Sequence, residues 1–127
     1  MGRTVVGRVP SERAVVVGFH FEISDESVGE FAAGLTAAAD TAEQVGARLL
    51  VVDLSAARLR GSTGVTALMA GRRQARERGV EFVVVAEECG TVEDVLILTG
   101  AISVLTVRIS VDHVFHREVR RRDAPSR

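Results

Sequence analysis

Residues 49–68 have the sequence LLVVDLSAARLRGSTGVTAL, in which an apolar run is followed by a polar loop and then by a helix start. The uninterrupted Leu and Val residues are typical of a strand that is covered on both faces in a parallel sheet. The loop leads through Gly-Ser-Thr-Gly, residues 61–64, into an amphipathic pattern. We therefore predict a central buried strand, Leu49 to Asp53, whose carboxyl end leads to Ser62 at a helix N-terminus.

Upstream of this segment, the sequence predicts a hairpin and then a helix. Residues 4–9 and 14–21 are rich in Val and Phe and flank a Pro-Ser-Glu-Arg turn, which is the pattern of a hairpin. Apolar and small residues then recur three and four apart, so we expect a helix that ends near Gly46. Ser24 and Asp25 are its candidate N-caps. The expected buried face consists of Val28, Phe31, Ala32, Leu35, Ala39, Ala42 and Val45.

The helix that begins after Ser62 has an apolar and a basic face. Gly79 is placed to end it, and the apolar residues 80–85 form the next predicted strand. We expect Val65, Leu68 and Met69 to face inward. The outward residues of this helix should be Arg72, Arg73, Arg76 and Arg78.

The last third of the chain repeats the alternation of helix and strand. Thr91 and Asp94 have the spacing of a capping box, and Gly100 is expected to end the short helix that follows. The residues expected to share one face of that helix are Val92, Val95, Leu96 and Thr99. A strand over residues 105–109 and a closing helix over residues 112–121 complete the predicted elements.

This order of elements predicts an α/β fold. Buried strands that alternate with helices indicate a mixed, largely parallel sheet with an N-terminal hairpin and about four helices. A length of 127 residues is that of one domain, for which we expect bounds of 1–121. Residues 122–127 are predicted to be a flexible C-terminal tail.

Composition excludes several classes of function. The 16 basic and 17 acidic residues leave a net charge of -1, so no broad attraction for nucleic acid is expected. The apolar runs are too short for membrane insertion and the N-terminus lacks a signal-peptide pattern, so we expect a cytoplasmic protein. Every basic residue is Arg, which excludes a Schiff-base or P-loop lysine. The single cysteine, Cys89, is interpreted as a small buried or loop residue.

Charge is separated along the chain. Residues 20–53 contain seven acidic residues and one Arg, whereas residues 54–79 contain six Arg and one Glu. An acidic first helix should therefore lie beside a basic loop and second helix. Solvated helix faces and a docking surface of mixed sign both agree with this pattern.

Ser62 is the main candidate for function. Unpaired N–H groups and the helix dipole at a helix N-terminus favour negative charge, so a phosphoryl group on Ser62 would be tolerated there. The plainer interpretation is that the hydroxyl caps the helix. The residues alone leave both interpretations open.

Catalytic and metal-binding interpretations have weaker support. A triad can be written from Ser62, His20 and Asp53, but no Gly-x-Ser-x-Gly elbow accompanies it. His113 and His116 are three residues apart on the predicted closing helix, and a zinc site would need further ligands. We therefore expect no enzyme activity, no metal and no cofactor.

Two stretches resemble the STAS domain of bacterial anti-sigma factor antagonists. They are LLVVDLSAARLRGSTGVTALMAGRRQARERGVEFVVV (residues 49–85) and VEDVLILTGAISVLTV (residues 92–107). Members of that family have an apolar strand, Asp-Leu-Ser, a loop similar to Asp-Ser-Ser-Gly that opens a helix, a second strand, and a helix ending in Leu-Thr-Gly. The resemblance covers residues 49–109 well and the predicted order of elements throughout.

The resemblance implies a regulatory binding module, not an enzyme. Such a module docks a cognate anti-sigma serine kinase, and phosphorylation at the position of Ser62 ends that docking. Thr63 is the reserve acceptor. The implied partner-binding residues are Asp53, Arg60, Gly61, Ser62, Thr63 and Gly64.

Two alternatives stay open, and Gly61, which stands where family members have an Asp before the acceptor, favours the first of them. One is a docking subunit of a stress-signalling or transport-ATPase complex that is not phosphorylated. The other is a small α/β enzyme or nucleotide-binding protein. The partner's identity, the triggering signal and the oligomeric state do not follow from the sequence.

Overall fold

A five-stranded sheet forms the centre of the computed structural model, which describes residues 3–115. The elements are β1 (Thr4–Val9), β2 (Ala14–Phe19), β3 (Glu22–Ile23), α1 (Val28–Gln44), β4 (Leu49–Asp53), β5 (Arg58–Leu59), α2 (Thr63–Glu77), β6 (Glu81–Val85), α3 (Thr91–Thr99) and β7 (Thr106–Arg108). The sheet order is β1-β2-β4-β6-β7, with β1 antiparallel to β2 and the other neighbours parallel. The predicted fold class, hairpin and central strand are therefore confirmed.

Both faces of the central strand are covered, as the uninterrupted apolar run predicts. Leu50 and Val52 of β4 belong to the larger core, which α1, α2 and α3 cover. Leu49 and Val51 belong to a second core on the other face, which includes Val114. Because successive side chains of a strand alternate between faces, one apolar strand supplies both cores.

A closing helix begins within the described residues. Residues 111–115 are helical and contribute to the second core, in agreement with the predicted helix over residues 112–121. The rest of that prediction, residues 116–121, and the predicted tail, residues 122–127, lie outside the described residues.

The start of α1 differs from the prediction. The helix begins at Val28 with Ser27 as its N-cap residue, so Ser24 and Asp25 are not N-caps. The Ser27 hydroxyl instead donates a hydrogen bond to the Glu22 carbonyl at 2.6 Å and accepts one from the Ser24 N–H at 2.9 Å. These bonds hold the turn between β3 and α1.

Three predicted side-chain orientations are wrong. Ala32 and Val45, which the spacing placed on the buried face of α1, are exposed. Arg78, expected to point outward, is half-buried and donates hydrogen bonds of 2.8 and 3.1 Å to Asp40 of α1. Its guanidinium also lies 3.5 Å from Glu43. A helix spacing does not reveal that an acidic neighbour lies across a helix interface.

The predicted capping box at the start of α3 is also wrong. No side chain caps this helix, so Thr91 and Asp94 do not form the reciprocal pair. Glu93 instead accepts a hydrogen bond from the N–H of Cys89 at 2.7 Å. Cys89 is an exposed loop residue. Gly100 ends the helix as predicted, with a φ of 79°.

Candidate functional site

A short parallel ribbon positions the loop that precedes α2. In this ribbon β3 pairs with β5, so that Ile23 lies opposite Leu59. The Arg60 N–H extends the pairing by donating a hydrogen bond to the Ile23 carbonyl at 2.9 Å. This ribbon was not predicted because two-residue strands are too short to show an alternating pattern.

Gly64 allows the first turn of α2 to pack directly on the ribbon. A Cβ atom at this position would lie 2.6 Å from Cδ2 of Leu59 and 3.1 Å from Cγ2 of Ile23. The first of these distances is shorter than van der Waals contact allows, so a residue larger than glycine would displace the helix start or the ribbon. This close approach fixes the position of Ser62, two residues before Gly64.

Ser62 is the N-cap residue of α2, and its side chain is exposed. Its backbone carbonyl accepts hydrogen bonds from the Thr66 N–H at 3.0 Å and the Thr66 hydroxyl at 3.3 Å. The Ser62 hydroxyl, however, makes no capping hydrogen bond. The predicted location at a helix N-terminus is therefore confirmed, whereas the interpretation in which the hydroxyl caps the helix is wrong.

An open depression surrounds the Ser62 side chain. The turn between β3 and α1 forms one wall, and the loop between β5 and α2 forms the other. The only described ion pair across it joins Arg60 Nη1 to Glu22 Oε2 at 3.4 Å. The lining residues are Glu22, Ser24, Asp25, Glu26, Arg60, Gly61, Ser62 and Thr63. Three carboxylates and one guanidinium give this depression a net negative charge.

The structure brings together most of the predicted partner-binding residues. Residues 60–63 line the depression, and Gly64 lies in the helix turn beside it. Asp53 does not line it. The Asp53 carboxylate instead accepts hydrogen bonds from the Ser55 N–H at 3.0 Å and the Ser55 hydroxyl at 2.7 Å, which shapes the turn after β4.

The acidic wall was absent from the predicted set. Glu22, Asp25 and Glu26 belong to the acidic segment that the charge pattern singled out, but their position beside Ser62 depends on the pairing of β3 with β5. Charge counts along a sequence show where carboxylates are abundant. They do not show which loop the carboxylates face.

The triad interpretation receives no geometric support. Among residues 3–115, no hydrogen bond joins His20 to Ser62 or to Asp53. The imidazole of His20 instead lies over Gly18, where a Cβ atom would be 3.3 Å from Nε2. Within the same residues no group of three or more His, Cys, Asp or Glu side chains is arranged to hold a metal. Of the predicted histidine pair, His116 lies outside the described residues.

None of the helices described is both long enough and apolar enough to cross a membrane. The longest, α1, has 17 residues, and it contains charged side chains such as Asp40 and Glu43.

Several solved structures of anti-sigma factor antagonists have the same fold as this chain. The antagonist from Mycobacterium paratuberculosis aligns with a TM-score of 0.71 and 23% identity, over 90% of this chain and 91% of that chain. A Thermotoga maritima protein described as an anti-sigma factor antagonist aligns with a TM-score of 0.72 and 16% identity, over 91% and 94% of the two chains.

SpoIIAA, also an anti-sigma factor antagonist, aligns in two states. The unphosphorylated form has a TM-score of 0.62 and 15% identity, over 98% of this chain and 99% of that chain. The phosphorylated Bacillus form has a TM-score of 0.58 and 16% identity, over 90% and 97%. Neither a protein-family model nor a curated protein sequence matches the chain. The chain therefore has the STAS fold of the anti-sigma factor antagonists, which is the fold that the sequence resemblance predicts.

Proposed function

We propose that the chain is a regulatory binding module of the anti-sigma factor antagonist type. In the unmodified state it docks a cognate anti-sigma serine kinase, and phosphorylation of Ser62 ends that docking. The observation that carries this proposal is the exposed Ser62 hydroxyl at the start of α2, which the helix does not use as a cap. A fold shared with SpoIIAA, a protein solved in phosphorylated and unphosphorylated forms, supports it.

The surroundings of Ser62 are suited to a modification that changes binding. A phosphoryl group there would lie near the N–H groups of the first turn of α2, which have no partner within the helix. It would also add a charge of about -1.5 to -2 to a depression that already contains three carboxylates. A partner packed against this depression would meet both the bulk and the charge of the phosphate. A kinase adds the negative phosphates of its own nucleotide, so the modified surface should repel it.

The proposed role of this chain is that of a phosphate acceptor, without turnover of its own. The charged side chains beside Ser62 are carboxylates and one arginine, and none of the described hydrogen bonds places a base on its hydroxyl. The kinase would supply ATP and Mg²⁺, so no cofactor is assigned to this chain. We expect the repurified chain alone to leave ATP and model esters unchanged.

The test uses the purified chain, the cognate kinase from the same cell, ATP and Mg²⁺. We expect phosphopeptide mapping to place the label on Ser62, and calorimetry to show that labelling weakens binding at least about tenfold, which corresponds to about 1.4 kcal/mol. Ser62→Ala should bind the kinase and stay unlabelled. Thr63→Ala is the matched control, since it removes a neighbouring exposed hydroxyl and should leave labelling at Ser62 unchanged.

A second function is favoured by one observation at Gly61. This residue has a φ of +82°, a conformation that suits glycine, and it removes the carboxylate that the family's loop has before the acceptor. A docking subunit of a stress-signalling or transport-ATPase complex would not need that carboxylate. Tight kinase binding with no label on Ser62 or Thr63, confirmed with the double Ser62→Ala, Thr63→Ala variant, would favour this alternative and contradict the phosphorylation switch.

A further inference from the structure

An exposed ion pair joins the two walls of the Ser62 depression. Arg60 Nη1 lies 3.4 Å from Glu22 Oε2, and the two side chains are 69% and 47% exposed. A single exposed bond of this length contributes little to stability. The backbone around it is held independently, because β3 pairs with β5 and the Arg60 N–H bonds to the Ile23 carbonyl. The pair can therefore open without loss of the fold.

Arg60 is also placed to reach a modified Ser62. Only Gly61 separates the two residues, and all three line the same depression. Arg60 is the one cationic side chain among the described lining residues, facing Glu22 on β3 and Asp25 and Glu26 on the following turn. A phosphate dianion accepts two parallel hydrogen bonds from a guanidinium and is a stronger acceptor than a singly bonded carboxylate.

We propose that Arg60 exchanges partners when Ser62 is phosphorylated, leaving Glu22 and binding the phosphate. This inference rests on the proposed function, in which Ser62 is the acceptor. Its consequence is a change on both walls of the depression. The phosphate and Arg60 occupy one wall, while Glu22 on the other wall joins Asp25 and Glu26 as a carboxylate without a described cationic partner. The modification would then alter the charge on both walls of the depression.

The test installs phosphoserine at position 62 of the full chain during translation, so that no kinase is needed. Phosphorus NMR then follows the pKa of the phosphate in the chain with wild-type arginines, in Arg60→Gln and in Arg58→Gln. Loss of a bound cation favours the monoanion, so Arg60→Gln should raise the pKa of the phosphate by about 0.5. Arg58→Gln is the matched control, because it removes an equally charged, exposed residue of the same ribbon that does not line this depression. It should raise the pKa by less than half as much.

A second measurement follows the carboxyl group of Glu22 by carbon NMR, with and without phosphoserine. If Arg60 leaves, the carboxyl carbon signal of Glu22 should shift on modification, and this shift should be smaller in Arg60→Gln, where no cation is withdrawn. Equal phosphate pKa values in the two arginine variants would overturn the exchange, as would a carboxyl carbon signal of Glu22 that does not respond to phosphoserine. The phosphate is installed without a kinase, so these results do not depend on whether the kinase labels Ser62. Failure of the kinase to label Ser62 would contradict only the proposed function.

Discussion

Substitution of Gly64 by Ala tests whether the contact between α2 and the ribbon fixes the loop that contains Ser62. The added Cβ atom would lie 2.6 Å from Cδ2 of Leu59 and 3.1 Å from Cγ2 of Ile23. Overpacking of this kind costs about 1–3 kcal/mol. Replacement of glycine by alanine in a helix gains about 0.5–1 kcal/mol, so we expect a net destabilisation of about 1 kcal/mol.

Gly29→Ala is a matched control for this substitution. Gly29 is the second residue of α1, as Gly64 is of α2, and an added Cβ atom there would have no atom within 4 Å. The gain in helix propensity is common to both variants. The difference between their free energies of unfolding therefore measures the cost of the close contact at Gly64. We expect Gly64→Ala to be less stable than Gly29→Ala by about 1–3 kcal/mol.

The assay is urea unfolding followed by circular dichroism, with the free energy of unfolding and its denaturant dependence fitted for each variant. In thermal melts a difference of 1 kcal/mol should correspond to about 3–5 °C for a chain of this size. Equal stability of Gly64→Ala and Gly29→Ala would refute the reasoning, because it would mean that the helix start is free to move away from Leu59 and Ile23.

Two further predictions concern side chains that hold α2 in place. Arg78→Ala should lower the free energy of unfolding by about 1 kcal/mol, because Arg78 is 24% exposed and donates two hydrogen bonds to Asp40. Arg73→Ala, on the exposed face of α2, should change the free energy of unfolding by less than about 0.5 kcal/mol. Leu68→Ala should destabilise the fold by about 2–5 kcal/mol because Leu68 is fully buried. The same truncation at Leu98, which is 85% exposed, should have little effect on the free energy of unfolding measured in denaturant. A similar loss at both leucines would contradict the described core.

The main elements were predictable because each has a strong local pattern. The apolar run of β4, the three-and-four spacing of α1 and the glycines after α1, α2 and α3 are all properties of short stretches of chain. Left-handed φ values at Gly46, Gly79 and Gly100 follow from the absence of a Cβ atom, so helix ends could be placed from the sequence. The position of Ser62 at a helix start follows from the same kind of local signal.

The wrong predictions, for Arg78 and for the caps of α1 and α3, came from interactions that local sequence patterns do not reveal. Arg78 was expected to be solvated, but Asp40, which is 38 residues away, lies across the α1–α2 interface. The caps of α1 and α3 were misplaced because turn hydrogen bonds, such as the bond from the Ser27 hydroxyl to Glu22, satisfy the polar groups differently. Local composition gives no information on such competing partners.

The sequence by itself determined the fold class, the central strand and the placement of Ser62 at the start of α2, because periodicity and glycine positions act over a few residues. Only the tertiary structure decided what faces Ser62. The pairing of β3 with β5 brings Glu22 to 3.4 Å from Arg60, although 38 residues separate them, and it places the acidic turn beside the loop. The physical reason is that contacts between distant segments depend on how strands pair and how closely helices pack, as at Gly64. The distances between strands and helices are set by the packing of the whole core.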